Sequence, residues 1–194
     1  MDGMEADEQR HRGALEGLFG RAHQRTPAPV ARWQPPYCGD IGLKIRADGS
    51  WLYRDSPIGR EALVRLFASV LRKDADGRTY LVTPSEKVDV AVEDAPFLAV
   101  EMAVQGEGRT QTLILRTNVD DVVHCGPENP LRFAEQAPAG GLKPYVLVRG
   151  RLEALLARPL VYELAELAVE ETREGTTVPG VWSGGVFFPL LSAR

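Results

Sequence analysis

The chain has 194 residues and a formal net charge of −4 at pH 7, with 44% hydrophobic and 26% charged residues. These values are typical of a globular protein and exclude collagen-like, coiled-coil and wholly disordered chains. The acidic balance argues against a nucleic acid polymer as a partner, because non-specific binding to DNA or RNA needs a basic surface. No stretch approaches the roughly 20 apolar residues that span a bilayer, so no membrane partner is expected.

The N-terminal segment is predicted to be an appendage to the folded chain. Its first twelve residues, MDGMEADEQRHR, contain no apolar run, which is unlike a secretory signal and leads us to expect a cytoplasmic location. Leu15, Leu18 and Phe19 have helical spacing and predict a short helix over about 9–22. We divide the chain into a tail with this helix, an N-terminal α+β domain and a C-terminal α+β domain, at 1–33, 34–94 and 95–194.

The N-terminal domain is predicted to contain a hairpin, a helix and two more strands. Asp48-Gly49 separates two runs of alternating hydrophobicity, which is a strong signal for a two-residue hairpin turn. Ser56 and Pro57 are typical of a helix start, and the apolar residues that follow have helical spacing. The predicted strands of this domain are 41–45, 51–53, 79–83 and 88–92.

The same order of elements recurs near the C-terminus. Gly150 separates two predicted strands, and Arg158-Pro159 opens a predicted helix. The strands of this second unit are 145–149, 152–156, 177–182 and 186–190. The predicted fold class is therefore α+β, built on a duplicated ββαββ unit.

The region between the two units is predicted to hold extra antiparallel strands and a loop. The strands are expected over 98–104 and 112–116, where apolar and polar residues alternate. Residues 126–143 are rich in proline and glycine, and we predict a long loop there with a short turn of helix near Leu131–Glu135. A loop of this length is a candidate for lining a site.

No standard catalytic or metal-binding set is found in the sequence. His124 and Cys125 are adjacent, and neighbouring residues of a strand point to opposite faces, so they are poorly placed as base and nucleophile. Cys38 and Cys125 lack the nearby cysteine or histidine partners of a structural zinc site. We therefore expect no catalytic residue, no metal and no cofactor.

The first hairpin carries the first candidate ligand site. A two-residue turn would pair Arg46 with Trp51 and Lys44 with Tyr53, so that two aromatic and two cationic side chains share a face. Such a face could stack a base and hold a phosphate. The alternative is that the other domain covers it, which would make Trp51 and Tyr53 interdomain core.

Polar residues near strand ends form the second candidate set. Arg60 falls in the first turn of the predicted helix, where a cation is unfavourable, and this placement suggests an anionic partner. The alternative is ordinary surface charge, paired with a neighbour such as Asp55. The other members of the set are Glu86, Lys87, Asn118, Asp120, Arg132 and Arg149.

Several short motifs in a fixed order resemble a bacterial family known as domain of unknown function 1285. The resemblance spans about residues 33–190 and includes Tyr37-Cys38-Gly39-Asp40-Ile41, Ser56-Pro57-Ile58-Gly59-Arg60 and Arg149-Gly150-Arg151-Leu152-Glu153-Ala154. It implies a duplicated core whose C-terminal part is loosely pleckstrin-homology-like. It also implies a nucleotide-like ligand between the domains, a role in signal transduction and no established enzymatic activity.

The leading hypothesis is a ligand-sensing or signalling protein with a small anionic, nucleotide-like ligand in the interdomain cleft. Trp51 and Tyr53 would stack on the ligand. Phosphate would be held by Arg60, Lys87, Arg132 and Arg149. Hydrogen bonds that orient the ligand would come from Glu86, Asn118 and Asp120.

Two other function classes stay open at the level of sequence. The first is a protein–protein adaptor that docks a protein partner through exposed strand edges and the N-terminal helix. The second is an enzyme of unrecognised type, with Glu86 or Asp120 as a general base.

Overall fold

The computed structural model describes residues 28–135, 141–173 and 175–190, and the helix predicted over 9–22 lies outside them. The fold is mostly sheet. Within the described residues there are three sheets and two α-helices. A 3-10 turn at Val30–Arg32 precedes the first strand.

The N-terminal part is a six-stranded sheet with one helix. The chain order is β1 (Tyr37–Ile45), β2 (Trp51–Tyr53), β3 (Ser56–Pro57), α1 (Glu61–Ser69), β4 (Leu71–Lys73), β5 (Thr79–Val82) and β6 (Lys87–Val92). The spatial order is β3-β2-β1-β6-β5-β4. β6 pairs parallel with β1, while the other pairs are antiparallel.

The C-terminal part has a second six-stranded sheet, a helix and a three-stranded sheet. The first sheet contains β7 (Phe97–Gln105), β8 (Thr112–Thr117), β9 (Val122–His124), β10 (Leu131–Glu135), β11 (Leu142–Arg149) and β12 (Leu152–Leu156), in the order β10-β11-β12-β7-β8-β9. It is followed by α2 (Arg158–Glu166), β13 (Val169–Arg173), β14 (Thr176–Ser183) and β15 (Val186–Pro189). The last three strands form the third sheet.

The long loop predicted over 126–143 is wrong in its middle. Leu131–Glu135 is strand β10, which pairs antiparallel with β11, and not a turn of helix. Leu131 is buried and Arg132 is exposed, which is the alternation expected of a strand that is covered on one face.

Similar elements follow each hairpin. The short strand β3, a helix and three strands follow β1 and β2, while a helix and three strands follow β11 and β12. Each place thus has one strand more after its helix than the predicted ββαββ unit. The pairing differs between the two places. In the N-terminal part the last strand, β6, returns to β1, whereas β13, β14 and β15 form a separate sheet and β12 pairs parallel with β7.

The predicted two-residue turn at Asp48-Gly49 is wrong by one residue. The loop has three residues, because the Arg46 amide donates to the Ser50 carbonyl at 2.9 Å and the Gly49 amide donates to the Arg46 carbonyl at 3.0 Å. Gly49 has a φ of +81°, and Asp48 instead accepts the Ser50 amide at 2.9 Å. A type I turn closed by a glycine bulge has this form. Consequently Trp51 pairs with Ile45 and not with Arg46.

A two-residue turn does occur one strand later. Tyr53 pairs with Ser56, and the intervening Arg54 and Asp55 have φ values of +48° and +63°. Positive φ at both loop positions is the type I′ geometry, which usually requires asparagine or glycine. A side chain in this region of φ costs about 1–2 kcal/mol.

The two parts share one hydrophobic core. Its buried side chains include Ile45 and Trp51 from the first sheet and Phe97 and Leu113 from the second, each 2% exposed or less. The two parts therefore pack directly on each other.

Replacing Arg54 should reveal the strain in the turn between β2 and β3. Arg54→Gly is expected to be more stable than Arg54→Ala by about 1 kcal/mol, because only glycine adopts positive φ without a steric cost. Both variants lose the contact of the guanidinium with the Tyr53 ring, at 5.2 Å from its centroid, so this loss cancels in the comparison. Urea unfolding measures the difference, and an equal or higher stability of the alanine variant would contradict the turn assignment.

Candidate functional site

Side chains from α1 and from the turn between β8 and β9 join the two parts. Arg65 Nη1 donates to Asp120 Oδ2 at 2.8 Å. Asn118 Nδ2 donates to the Gly49 carbonyl at 3.3 Å, and Asn118 Oδ1 accepts the Leu98 amide at 3.1 Å. Asn118 therefore fixes the first hairpin loop against the start of the second sheet.

Asp120 is held in an unusual backbone conformation at this junction. Its φ is +69°, and its carboxylate also accepts a hydrogen bond from Arg116 Nη1 at 2.8 Å. Asp120 is thus shared between Arg65 of the N-terminal part and Arg116 of the C-terminal part. Charge-assisted hydrogen bonds of this kind are among the stronger polar contacts in proteins.

Arg149 makes the second link between the two parts. Its Nη2 donates to the Ala68 carbonyl in the last turn of α1 at 2.7 Å, and its Nη1 donates to Asp121. A cation is favourable at this end of a helix, where the free carbonyl groups carry partial negative charge. The guanidinium also lies over the Phe97 ring, 4.9 Å from its centroid.

Asp94 makes a third link, in the segment between β6 and β7. Its carboxylate accepts hydrogen bonds from Lys143 Nζ and from the Tyr145 hydroxyl, both at 2.7 Å. Burial raises the pKa of Asp94, but these two hydrogen bonds outweigh it and hold the pKa below its ordinary value. Burial and the Asp94 carboxylate together raise the pKa of Tyr145 to about 12.

A cleft of about 740 Å³ opens where the edge of the first sheet meets the second sheet. The cleft is lined by β4 with the residues after it, by the turn between β11 and β12, and by the segment before β1. The lining residues are Ala28, Pro29, Val30, Ala31, Gln34, Leu71, Arg72, Lys73, Asp74, Ala75, Asp76, Arg149, Gly150, Arg151 and Leu152.

Arg72 builds the cleft by fixing the segment before β1. Its Nη1 donates to the carbonyl groups of Val30 and Trp33, both at 2.8 Å, while its Nε donates to Asp74 at 2.6 Å. Burial raises the pKa of Asp74, but hydrogen bonds from Arg72 and Lys87 outweigh it and keep the pKa below the ordinary value. These charges are therefore already compensated.

Two other cations of the cleft are not compensated. Lys73 on β4 and Arg151 in the turn between β11 and β12 form no ion pair with any carboxylate of the described residues. One comes from each part of the chain. The apolar residues of the lining that are not buried include Pro29, Val30 and Ala31, whereas Leu71 and Leu152 are 1% and 2% exposed and belong to the core.

The aromatic pair predicted at the first hairpin does not form one face with Lys44 and Arg46. Because Trp51 pairs with Ile45, Trp51 lies on the core face, is 2% exposed and packs 6.1 Å from the Phe67 ring. The alternative of an interdomain core therefore describes Trp51. Tyr53 is 41% exposed and does not line the cleft.

Neither Lys87 nor Glu86 is among the residues that line the cleft, although Lys87 contacts Asp74 of the lining. Lys87 Nζ is 3.2 Å from Asp74 Oδ2 and 4.3 Å from the centroid of the Tyr80 ring. The hydroxyl of Tyr80 donates to Asp76, and this hydrogen bond raises the pKa of Tyr80 to about 12. Glu86 is exposed in the connection between β5 and β6.

Arg132 and Arg60 also lie outside the cleft lining. Arg132 makes two hydrogen bonds to Glu153, at 2.9 and 2.8 Å, and its guanidinium lies 4.2 Å from the centroid of the Tyr145 ring. Arg60 is exposed at the residue before α1 and makes no capping hydrogen bond with its side chain.

The structure thus divides the nine predicted ligand residues among several places. Asn118, Asp120 and Arg149 meet at the junction of the two parts, and of the nine only Arg149 lines the cleft. Sequence reasoning missed Lys73 and Arg151. Arg151 could have been found from the sequence, because it lies in the motif Arg149-Gly150-Arg151-Leu152-Glu153-Ala154 that carries the family resemblance.

Two structural tests gave negative results. Within residues 28–135, 141–173 and 175–190, no group of three histidine, cysteine, aspartate or glutamate side chains is placed to hold a metal ion. No helix of this part of the chain is long and apolar enough to cross a membrane.

Two family models together match most of the chain. The model described as "Domain of unknown function (DUF1285), N-terminal domain" matches residues 28–95, and the model described as "Protein of unknown function (DUF1285), C-terminal domain" matches residues 96–190. A search of curated proteins found no match.

Two solved structures are similar to this chain. A DUF1285 family protein from Silicibacter pomeroyi DSS-3 is 46% identical with a TM-score of 0.80, and the match covers 91% of this chain and 95% of that one. A DUF1285 family protein from Shewanella baltica OS155 is 25% identical with a TM-score of 0.52, covering 65% of this chain and 91% of that one.

The link through Asp94 predicts a pH-dependent loss of stability. Asp94→Asn should lower the free energy of unfolding at pH 7 by about 2 kcal/mol, the scale for hydrogen bonds to a charged group. Because the pKa of Asp94 is lowered in the folded state, this contribution is present above the unfolded pKa and disappears as the pH falls through the folded pKa.

The measurement is urea unfolding of both proteins from pH 7 down to pH 3. The difference between them should shrink as the pH falls below about 4. Glu128→Gln, at an exposed loop carboxylate, serves as the matched control. A difference that stays constant over this range would contradict the assignment.

Proposed function

The chain belongs to the DUF1285 family, and we propose that it is a ligand-sensing or signalling protein that binds a small anionic, nucleotide-like ligand in the cleft between its two parts. A cytoplasmic location is part of this proposal. The observation that carries it is the placement of Lys73 and Arg151. Both line one cleft, one from each part of the chain, and neither forms an ion pair with a carboxylate of the described residues, in a chain whose net charge is −4.

The electrostatics of the cleft favour an anion there. An anionic group between Lys73 and Arg151 would accept charge-assisted hydrogen bonds from both parts of the chain at once. The apolar residues Pro29, Val30 and Ala31 would displace water from such a group, which strengthens its attraction to the cations. Arg149 lies in the same cleft and adds positive potential, although its guanidinium already contacts Asp121.

A nucleotide-like ligand fits the size of the cleft, but the residues that would contact its base and phosphate differ from those predicted from the sequence. A volume of about 740 Å³ lies within the range of small-molecule sites. Among the described residues no aromatic side chain lines the cleft, so the base would lie on Pro29, Val30 and Ala31 and not on Trp51 or Tyr53. The phosphate would be held by the side chains of Lys73, Arg149 and Arg151.

The duplication and the pleckstrin-homology-like character of the C-terminal part belong to the same proposal. A hairpin, a helix and three strands occur in this order in both places, apart from the extra strand β3 in the first, and this supports a duplicated unit. The two copies would have diverged in strand pairing, because the last three strands join the sheet of the hairpin in the first copy and form a separate sheet in the second. One helix and two sheets in the C-terminal part are compatible with a pleckstrin-homology-like arrangement.

Isothermal titration of the full chain with a panel of mono-, di- and cyclic nucleotides tests the proposal. We expect saturable binding that weakens as the salt concentration rises, because the contacts at the rim of the cleft are ionic. Lys73→Glu combined with Arg151→Glu should weaken binding at least 100-fold, at about 1.5–3 kcal/mol for each charged contact.

The matched control reverses two cations outside the cleft. Arg46 and Arg60 are exposed, form no ion pair within the described residues and do not line the cleft. Arg46→Glu combined with Arg60→Glu changes the net charge equally and should leave binding within about threefold of wild type, the scale of a small surface effect. No binding by the wild type at millimolar nucleotide, or equal loss in both double variants, would overturn the proposal.

A further inference from the structure

The cleft is also lined by a carboxylate that forms no ion pair. Asp76 lies in the turn between β4 and β5, is exposed and belongs to the same lining as Lys73 and Arg151. Its neighbour Asp74 is paired with two cations, whereas no lysine or arginine of the described residues forms an ion pair with Asp76. The cleft therefore presents a hydrogen-bond acceptor to a ligand as well as cations.

Two hydrogen bonds fix the direction of the Asp76 carboxylate. The Tyr80 hydroxyl donates to Oδ2 at 2.6 Å, and the backbone amide of Arg78 donates to Oδ1 at 2.9 Å. Tyr80 is itself held in place, because it is 2% exposed and the centroid of its ring lies 4.3 Å from Lys87 Nζ. These hydrogen bonds lower the pKa of Asp76, so its carboxylate is ionised at neutral pH. Each oxygen has two lone pairs and uses one of them here, which leaves an acceptor position on each oxygen.

The effect of this carboxylate on binding depends on the chemistry of the ligand. Like charges repel, so Asp76 lowers the affinity of the cleft for an anion that carries no hydrogen-bond donor. The same carboxylate raises the affinity for an anion that also carries a hydroxyl or amino group, because it can accept a charge-assisted hydrogen bond from that group. The contribution of Asp76 thus changes sign between the two kinds of ligand.

We propose that Asp76 determines the specificity of the cleft by accepting a hydrogen bond from a hydroxyl or amino group of the anion that Lys73 and Arg151 hold. The inference rests on the proposed function, because it concerns the same cleft. A nucleotide carries donors of both kinds, in the hydroxyl groups of its ribose and in the amino group of adenine, guanine or cytosine. A site that hydrogen-bonds a polar group of its ligand strongly rejects an analogue that lacks this group.

Four phosphate esters separate the charge of the ligand from its donors. Adenosine 5′-monophosphate has both kinds of donor, purine riboside 5′-monophosphate lacks the amino group, and 2′,3′-dideoxyadenosine 5′-monophosphate lacks the two ribose hydroxyls. Phenyl phosphate has neither kind. Each ester is titrated calorimetrically into the full chain at pH 8. Because the second pKa of a phosphate monoester is about 6, the phosphate itself is then a dianion without a donor.

Asp76→Ala should change the affinities for two of these esters in opposite directions. Adenosine 5′-monophosphate should bind the variant at least tenfold more weakly than the wild type, the scale for a hydrogen bond to a charged group. Phenyl phosphate should bind the variant about twofold more tightly, because a like charge has been removed. The analogue that lacks the contacted donor should bind the wild type at least tenfold more weakly than adenosine 5′-monophosphate and lose no affinity in Asp76→Ala, which identifies the donor. Glu86→Ala removes an exposed carboxylate outside the lining and should leave the ratio of the two affinities unchanged.

A change of both affinities in the same direction in Asp76→Ala would overturn the inference. Asp76 would then act only through its charge, or through the turn that its hydrogen bond from the Arg78 amide stabilises. Equal binding of adenosine 5′-monophosphate and its two analogues by the wild type would overturn it as well, and this comparison decides the matter if Asp76→Ala does not fold. In both cases the proposed function stands, because the cleft still binds an anion. No binding of any ester at millimolar concentration would remove the proposed function and the inference together.

Discussion

The position of the N-terminal part relative to the C-terminal part depends on the contacts of the Arg149 guanidinium. It joins the last turn of α1 to the second sheet through the Ala68 carbonyl, Asp121 and the Phe97 ring. The same side chain lines the cleft. Because an arginine offers five donors in a rigid fork, it can hold a helix end and a carboxylate in one geometry. The position of β4 relative to the turn between β11 and β12, and hence the width of the cleft, follows from this contact and from the shared core.

The position of the cleft follows from the strand order of the two six-stranded sheets. In the N-terminal part the parallel pairing of β1 with β6 leaves β4 at the end of the sheet. In the C-terminal part the parallel pairing of β12 with β7 carries the β11–β12 turn toward that end. Arg72 then fixes the segment before β1 as the third side. The cations that remain uncompensated, Lys73 and Arg151, are those that no neighbouring element supplies with a carboxylate within the described residues.

Local sequence signals predicted most of the order of helices and strands. They could not predict the strand register or which distant residues meet, because both depend on tertiary pairing. The helix after β12 followed from the proline in its first turn and from apolar residues at helical spacing, which act within a few residues. For the helix before β4 the apolar spacing was right but the predicted start at Ser56 and Pro57 was wrong, because these two residues pair with β2 as strand β3 and the helix begins at Glu61. The first hairpin shows the limit of such signals. Asp48-Gly49 marks a turn in either register, but the Asp48 side chain favours the three-residue loop, and a shift of one residue moved Trp51 from a ligand-facing surface into the core. Lys73 and Arg151 carry no local mark of function, since their importance comes from two turns, 78 residues apart in the sequence, that meet only in the folded chain.

Electron density in crystals of the purified full chain, grown with the tightest-binding nucleotide of the panel, tests the central claim most directly. We predict density for an anionic group within hydrogen-bond distance of Lys73 Nζ and the Arg151 guanidinium, with the rest of the ligand against Pro29, Val30 and Ala31. A ligand bound instead at Arg60, Lys87 or Arg132, with the cleft filled by water, would contradict it.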